Sequence, residues 1–465
     1  MKEKETSKLY NSITNVDSRF IEEAQIKVKK KMPVRVKWGV IAACLCLVFV
    51  SVFAGPKLFS SSVYYGSPLM VYGNSQQLAV TPVKNTSGRE MTEEQAEVLN
   101  EFAFKLFQKS FAEGDNTLIS PISVLYALSM TEGGAKGETL NQMETLLGMP
   151  MEELRDCLHS YQTMLDENWG DTLYLANSIW FKDDENFEVK QSFLDDHAGY
   201  YDAELFKTAF SEETVNDINA WIKEKTNGKI SRIIDHIPEK VVMYLINTLS
   251  FDAEWDTVYE GGNIKRGVFT TEDGEEQLAY FMRHIEEDGY LNDDLATGFM
   301  KNYAGNKYAF LAMLPHEGVS IEEYVASMSG KWLSDLLNTA QMDVAVSAAI
   351  PKFSAEFDIE MNDVLIDLGV VDAFDEDLAD FSGISESESN NLYINRVLHK
   401  TTIEVDGRGT KAGAATVVEN AMTTGIEPGW KEPVASISLD RPFVYLIIDL
   451  ETNLPLFIGT TLSIK

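Results

Sequence analysis

The chain has 465 residues, 45% hydrophobic and 24% charged, the balance of a globular protein, which excludes disorder as its main state. Its 73 acidic against 39 basic residues give a formal charge of −34, and so acidic a surface repels phosphate backbones, making nucleic acid a poor partner. Three cysteines are too few for a disulfide scaffold.

In chain order, residues 1–37 carry ten Lys/Arg and five Asp/Glu, net +5, which leaves −39 for the rest. Trp38–Ala54 follows as 17 uncharged residues, at the short end of the range for a membrane-spanning helix. Lys27, Lys29, Lys30, Lys31, Arg35 and Lys37 stand just before it, so the positive-inside rule makes 1–37 a cytoplasmic leader and exports everything after Gly55. The expected location is the extracellular face of the cell membrane, on a single-pass N-in anchor. Cleavage at Val52-Phe53-Ala54 would instead secrete the protein, and Ile41-Ala42-Ala43-Cys44 resembles a lipoprotein processing box. Residues 55–89, with Ser60-Ser61-Ser62 and scattered Gly and Pro, read as a linker.

From residue 90 the pattern is dense. Thr92-Glu93-Glu94-Gln95 is a capping box, and Leu99, Phe102, Ala103, Leu106, Phe107 and Phe111 follow at helical spacing. Pro121 and Ser123 open a second helix through Met130, a third spans 137–147 and stops at Gly148, and 214–226 forms another. Cys157 reads as a small core residue. Leu173–Phe181, Val241–Phe251, Tyr308–Leu314, Val344–Phe353 and Leu392–Val405 are β-rich, and Phe443–Leu450 and Leu456–Ser463 flank a turn at Thr452-Asn453. Helices dominate early and strands late. That order predicts an α+β fold with mostly antiparallel sheets, and 90–465 as one domain.

No enzyme site emerges. His159, His197, His236, His284, His316 and His399 include no HExxH, Gly383-Ile384-Ser385-Glu386-Ser387 fails as a nucleophile elbow, and no Cys/His pairs are spaced for zinc. Gly407-Arg408-Gly409-Thr410-Lys411-Ala412 lacks the helix and parallel strand of a dinucleotide site. Asp293-Asp294 and Asp375-Glu376-Asp377 lack calcium-loop spacing.

The informative stretch is 404–424, EVDGRGTKAGAATVVENAMTT. Thr410, Ala412, Ala414, Thr416 and Val418 alternate as small residues that fit one face of a strand. They bury too little to hold a core, yet nothing bulky or charged bars them from entering a sheet.

This segment resembles the reactive-loop hinge of a serpin, a serine-protease inhibitor, matching at Gly409, Thr410, Ala412, Ala414, Ala415 and Thr416. Asn116–Ser123 with Gly134–Thr139, Ile218–Ile230, Leu245–Phe251 with Trp255, Ile350–Phe353 and Leu439–Phe443 are further segments similar to the family. The resemblance implies a serpin fold: three mostly antiparallel β-sheets, about nine helices and an exposed reactive loop. It implies no catalysis and no cofactor, in a monomer. A target protease cleaves the loop and is trapped covalently while the hinge Gly409, Thr410, Lys411, Ala412, Gly413, Ala414, Ala415 and Thr416 inserts into the central sheet.

By the same resemblance Ser120, Pro121, Ser123, Asn247 and His399 form the shutter beneath the insertion gap, and Trp255 stands at the breach where insertion starts. The family's hinge-to-bait distance puts the cut at Thr423-Thr424, after Met422. These uncharged residues suit elastase-like or subtilisin-like proteases; Lys431, farther on, would suit a trypsin-like one. Three departures stand out. Gly407 replaces an acidic residue and is expected to loosen the breach, Lys411 replaces a Glu, and Gly413 departs least; separately, the stretch from Thr423 to Arg441-Pro442 is longer than usual. A non-inhibitory serpin acting as a binding or structural module is the alternative.

Overall fold

The computed structural model describes residues 71–73, 75–78, 91–167, 172–286, 288–342, 344–385, 392–411 and 432–464. All belong to the unit Pro68–Lys465; the basic leader and the apolar run Trp38–Ala54 lie outside the described residues. Among the described residues, no helix is long and apolar enough to cross a membrane.

The described residues contain nine α-helices: α1 (Glu93–Ser110), α2 (Pro121–Glu132), α3 (Gly137–Leu147), α4 (Met151–Glu167), α5 (Gln191–Tyr200), α6 (Glu212–Lys225), α7 (Ile321–Ser327), α8 (Gly330–Thr339) and α9 (Asn362–Asp367). The capping box starts α1: Thr92 Oγ1 accepts the Gln95 N–H at 3.2 Å, and Gln95 Oε1 accepts the Thr92 N–H at 2.9 Å. Its apolar stripe, Leu99, Phe102, Ala103, Leu106 and Phe107, is buried as the spacing predicts. Buried around nearly its whole circumference, α2 is a core helix, so it shows no polar face.

The central sheet lies in two parts. One runs Val71–Tyr72, Ser75–Gln77, Glu204–Thr208, Leu173–Lys182, Met243–Phe251; the other runs Phe353–Glu360, Leu398–Val405, Gly409–Lys411, Ala253–Glu254. Ala253–Glu254 continues Met243–Phe251 past Asp252, so the two parts are halves of one sheet. Counted together, they leave three sheets. The second has six strands, and its members Phe443–Asp449 and Pro455–Thr461 are buried throughout and form the heart of the core. The third is four-stranded: Ala435–Ser438, Val346–Pro351, Glu276–Glu286, Ile264–Thr270. A separate apolar cluster fixes α6 to the central sheet: Ile218, Trp221 and Ile222 pack with Trp180, Phe206 and Ile246, and Trp180 stacks on Phe206 at 4.0 Å.

Three boundaries differ from expectation for local reasons. Val344–Phe353 is not one strand: Val346–Pro351 ends, the Lys352 N–H donates to Tyr280 O at 2.7 Å, and Phe353 opens a strand of the central sheet. Leu392–Val405 is a strand only from Leu398, because Asn362 takes its upstream backbone groups: Asn362 Nδ2 donates to Asn395 O at 2.7 Å, and Oδ1 accepts the Val397 N–H at 2.8 Å. The third falls within the stretch expected to be linker, where Val71–Tyr72 and Ser75–Gln77 form a hairpin added to the outer edge of the central sheet. Ser75, buried, donates to Asp217 Oδ2 of α6 at 2.6 Å. A polar, turn-rich sequence hides such an edge strand, whose stability comes from backbone pairing.

Candidate functional site

Met243–Phe251 pairs with Leu173–Lys182 along one edge. Its other edge faces Leu398–Val405 across a cavity of about 570 Å³, and among the described residues no ladder joins the two strands. The residues Met243–Leu249 line one side and Leu398–Thr401 the other, with Ser120 and Ser123 of the α2 start beneath. A sheet missing one strand presents two rows of backbone donors and acceptors to a strand of the right shape.

At one end the gap is bridged. Gly409–Lys411 pairs antiparallel with both neighbours: Thr410 opposite Ala253 and Val405, Gly409 opposite Glu254, Lys411 opposite Glu404. The hairpin that turns the chain here is Asp406–Gly409, where the Asp406 carboxylate accepts the N–H of Arg408 at 2.7 Å and of Gly409 at 3.3 Å. Thr410 is fully buried and its hydroxyl shares a hydrogen bond with Tyr303 Oη. Gly409 is obligatory: a Cβ there would lie 1.8 Å from Ala253 O and 2.8 Å from Glu254 Cα, both backbone atoms that cannot swing aside. Gly409→Val is therefore expected to unpair this strand and lower the stability of the intact protein by about 2 kcal/mol or more, read as a lower denaturation midpoint. An unchanged midpoint would mean the pairing contributes nothing.

Gly407 is packed and hydrogen-bonded within this turn. Its carbonyl accepts the Tyr259 N–H at 2.8 Å, and a Cβ would lie 3.0 Å from Ile264 Cδ1, so close packing suits glycine here. Trp255, 1% exposed, donates its backbone N–H to Arg408 O at 2.7 Å and its Nε1–H to Asp406 O at 2.8 Å, and stacks on Tyr303 at 4.5 Å. Three successive carbonyls of the turn are thus held by the segment 255–259.

Farther into the gap, Ser123 Oγ donates to Asn247 Oδ1, Asn247 Nδ2 to Asn177 Oδ1 at 2.8 Å, and Asn177 Nδ2 to Tyr201 O at 2.7 Å. The Ser120 N–H donates to His399 Nε2 at 3.0 Å, which requires that nitrogen to be unprotonated. Burial pushes the His399 pKa down to about 4. Pro121 opens α2 at its first position, where its missing N–H is harmless. The five residues expected to form the shutter are therefore together: Ser120, Ser123, Asn247 and His399 line the cavity, and Pro121 turns the chain below it.

The folded pKa of His399 lies below its ordinary value of 6.5, so its contribution to stability is present above that pH and is lost as pH falls from about 6.5 to 4. Denaturation midpoints measured across that range should show an acid loss that His399→Gln reduces by about 3 kcal/mol, leaving the part that comes from buried His197, whose pKa is also lowered. Parallel curves for parent and variant would count against it.

Tyr303, Tyr259, Ala253 and Asn177 contribute to the site without any sequence signal, since each takes its role from a partner far along the chain. Asp293, which lacks calcium-loop spacing, accepts Trp332 Nε1–H and Tyr324 Oη–H at 2.9 Å each. The hinge residues Ala412, Gly413, Ala414, Ala415 and Thr416, the bait residues Met422, Thr423 and Thr424, and Lys431 lie outside the described residues.

The described residues form a three-sheet α+β domain with a cavity between two strands of its central sheet and Gly409–Lys411 paired at the mouth of that cavity. The chain belongs to the serpin family, described as Serpin (serine protease inhibitor), whose model matches residues 97–464. It is 29% identical over 368 residues to an uncharacterized serpin-like protein of Methanosarcina acetivorans, covering 77% of this chain and 84% of that one. To Serpin B8 of Homo sapiens it is 28% identical over 373 residues, covering 77% and 96%. Among solved structures it is similar to the thermophilic serpin tengpin in its native state, with a TM-score of 0.75 and 43% identity over 83% of this chain and 98% of that one. Tengpin in its latent state gives 0.72 and 44%, over 82% and 100%. Thyroxine-binding globulin in complex with thyroxine gives 0.68 and 25%, over 80% and 100%.

Proposed function

We propose that this protein is an inhibitory serpin that traps elastase-like or subtilisin-like serine proteases outside the cell. The observation that carries the reading is the Gly409–Lys411 strand, paired on both sides at the mouth of a gap that is otherwise unfilled. A strand already started needs only continuation, which avoids the cost of nucleating a new pairing. The residues that follow are small on the face that Thr410 turns inward. A serpin 43–44% identical to this chain has been solved in both native and latent states, which fits a sheet with two arrangements.

In the mechanism the protease attacks the bond between Thr423 and Thr424 and is held as an ester on its own serine. Release of the loop's far end lets residues from Ala412 onward enter the gap, carrying the protease along. The chain supplies no catalytic group; it supplies a bait and a strand that moves. Incubating the chain with a panel of serine proteases and running denaturing gels tests this. A band heavier than the inhibitor, with a released peptide beginning at Thr424, is the expected result. Clean cleavage with no such band would favour a carrier or structural module, a reading with some support in the thyroxine-bound globulin. Cleavage only after Lys431 would move the specificity to trypsin-like proteases.

The 17 uncharged residues of Trp38–Ala54, behind six basic ones, support placing the inhibitor on the outer face of the cell membrane. Removal of the domain from intact cells by added protease, with the leader protected, tests that placement.

A further inference from the structure

We propose that the buried ion pair Lys301–Glu286 is a positioning device that aligns Trp255 and Tyr259 so that they clamp the hinge turn Asp406–Gly409. This rests on reading Gly409–Lys411 as the start of an inserting strand. Lys301 Nζ lies 2.8 Å from Glu286 Oε2, with the two side chains 1% and 3% exposed. Tyr259 Oη donates to Glu286 Oε1 at 2.7 Å. The same ammonium sits 4.7 Å from the Tyr259 ring centre and 5.5 Å from that of Trp255. One cation thus touches both rings of the clamp, and one carboxylate fixes the Tyr259 hydroxyl.

Those two residues are the ones whose backbone N–H groups hold Arg408 O and Gly407 O. A buried ion pair adds little net stability and is often replaceable by apolar side chains, so what it supplies here is direction. The other ionisable groups facing it are Asp288, whose carboxyl pKa is raised by burial and which accepts the Asn302 N–H at 2.9 Å, and His284, whose Nδ1 lies 3.9 Å from Glu286 Oε2. Glu286 raises and Lys301 lowers the Asp288 pKa, so loss of Lys301 alone would leave the two acids without that compensation.

The test is amide hydrogen exchange on the full chain, read at Trp255 and Tyr259, with Val444–Leu446 of the core as reference. Lys301→Met combined with Glu286→Leu removes both charges without stranding either. The Trp255 and Tyr259 amides are expected to exchange about tenfold faster in that variant, with the reference amides unchanged and Lys301→Arg within about threefold of the parent. If the double variant fails to fold, Tyr259→Phe deletes only the hydroxyl that reaches Glu286 and is expected to speed the same two amides by about threefold. Unchanged exchange at Trp255 and Tyr259, or equal acceleration in the core, would overturn the proposal. A parent chain that forms no protease complex would sink the inhibitory reading alone, since the exchange comparison needs no protease.

Discussion

A single cut within residues 412–431 is expected to raise the thermal midpoint of the protein by about 10 °C or more. The register gives the reason. Thr410 lies opposite Ala253 on one side and Val405 on the other. Continued without a break, the same pairing sets Ala414 beside Leu249 and Thr401, and Thr416 beside Asn247 and His399. About ten new backbone hydrogen bonds, each worth about 1 kcal/mol net, then form along edges that now face a cavity. The unit Pro68–Lys465, of about 400 residues, loses about 0.8 kcal/mol of stability per degree near its midpoint, so about 10 kcal/mol corresponds to about 12 °C. The uncut chain cannot collect this freely. Its far end is fastened where Ala435–Ser438 pairs in parallel with Val346–Ala349, in a different sheet. Calorimetry of intact and cut protein measures the shift, and equal midpoints would mean the gap stays empty after cleavage.

The second large effect concerns one methyl group. In the continued register Ala414 turns to the same side as buried Thr410, into the row of Thr401, which is 4% exposed. Ala414→Glu would place a carboxylate there with no cation beside it. Burying such a charge costs several kcal/mol, and every 1.4 kcal/mol is tenfold in the competition between insertion and release of the protease. The covalent complex is expected to fall by about 100-fold or more while the same protease still cuts the loop, which turns an inhibitor into a substrate. Ala414→Val, still apolar, should stay within about tenfold of the parent. A glutamate variant that traps as well as the parent would show that Ala414 never enters the sheet.

What the sequence disclosed depended on how local each signal is. The capping box at Thr92, the glycine stop at Gly148 and the turn at Asn453 act over four or five residues, and each element they bound is present. Of the segment read as a hinge, the structure places only Gly409–Lys411, whose pairing on both sides no local pattern announces. Strands Ile264–Thr270 and Glu276–Glu286 were not legible, because Arg266, Val268, Leu278 and Tyr280 make their outward face a mixture of apolar and charged groups, which blurs the two-residue period. The gap itself has no sequence signature, since a missing strand leaves no residues to read. Nor did Lys301 and Glu286 announce themselves: in the sequence they are two charges among many, and only the fold brings them together in a dry place.

The hairpin at residues 71–77 has a practical consequence. Without it, Glu204–Thr208 would be the border of the central sheet, a bare margin of unpaired peptide groups. Ser75–Gln77 hems that margin. A chain trimmed to the family's own boundary at residue 97 would lose the hem and offer neighbouring molecules a second place to stitch on.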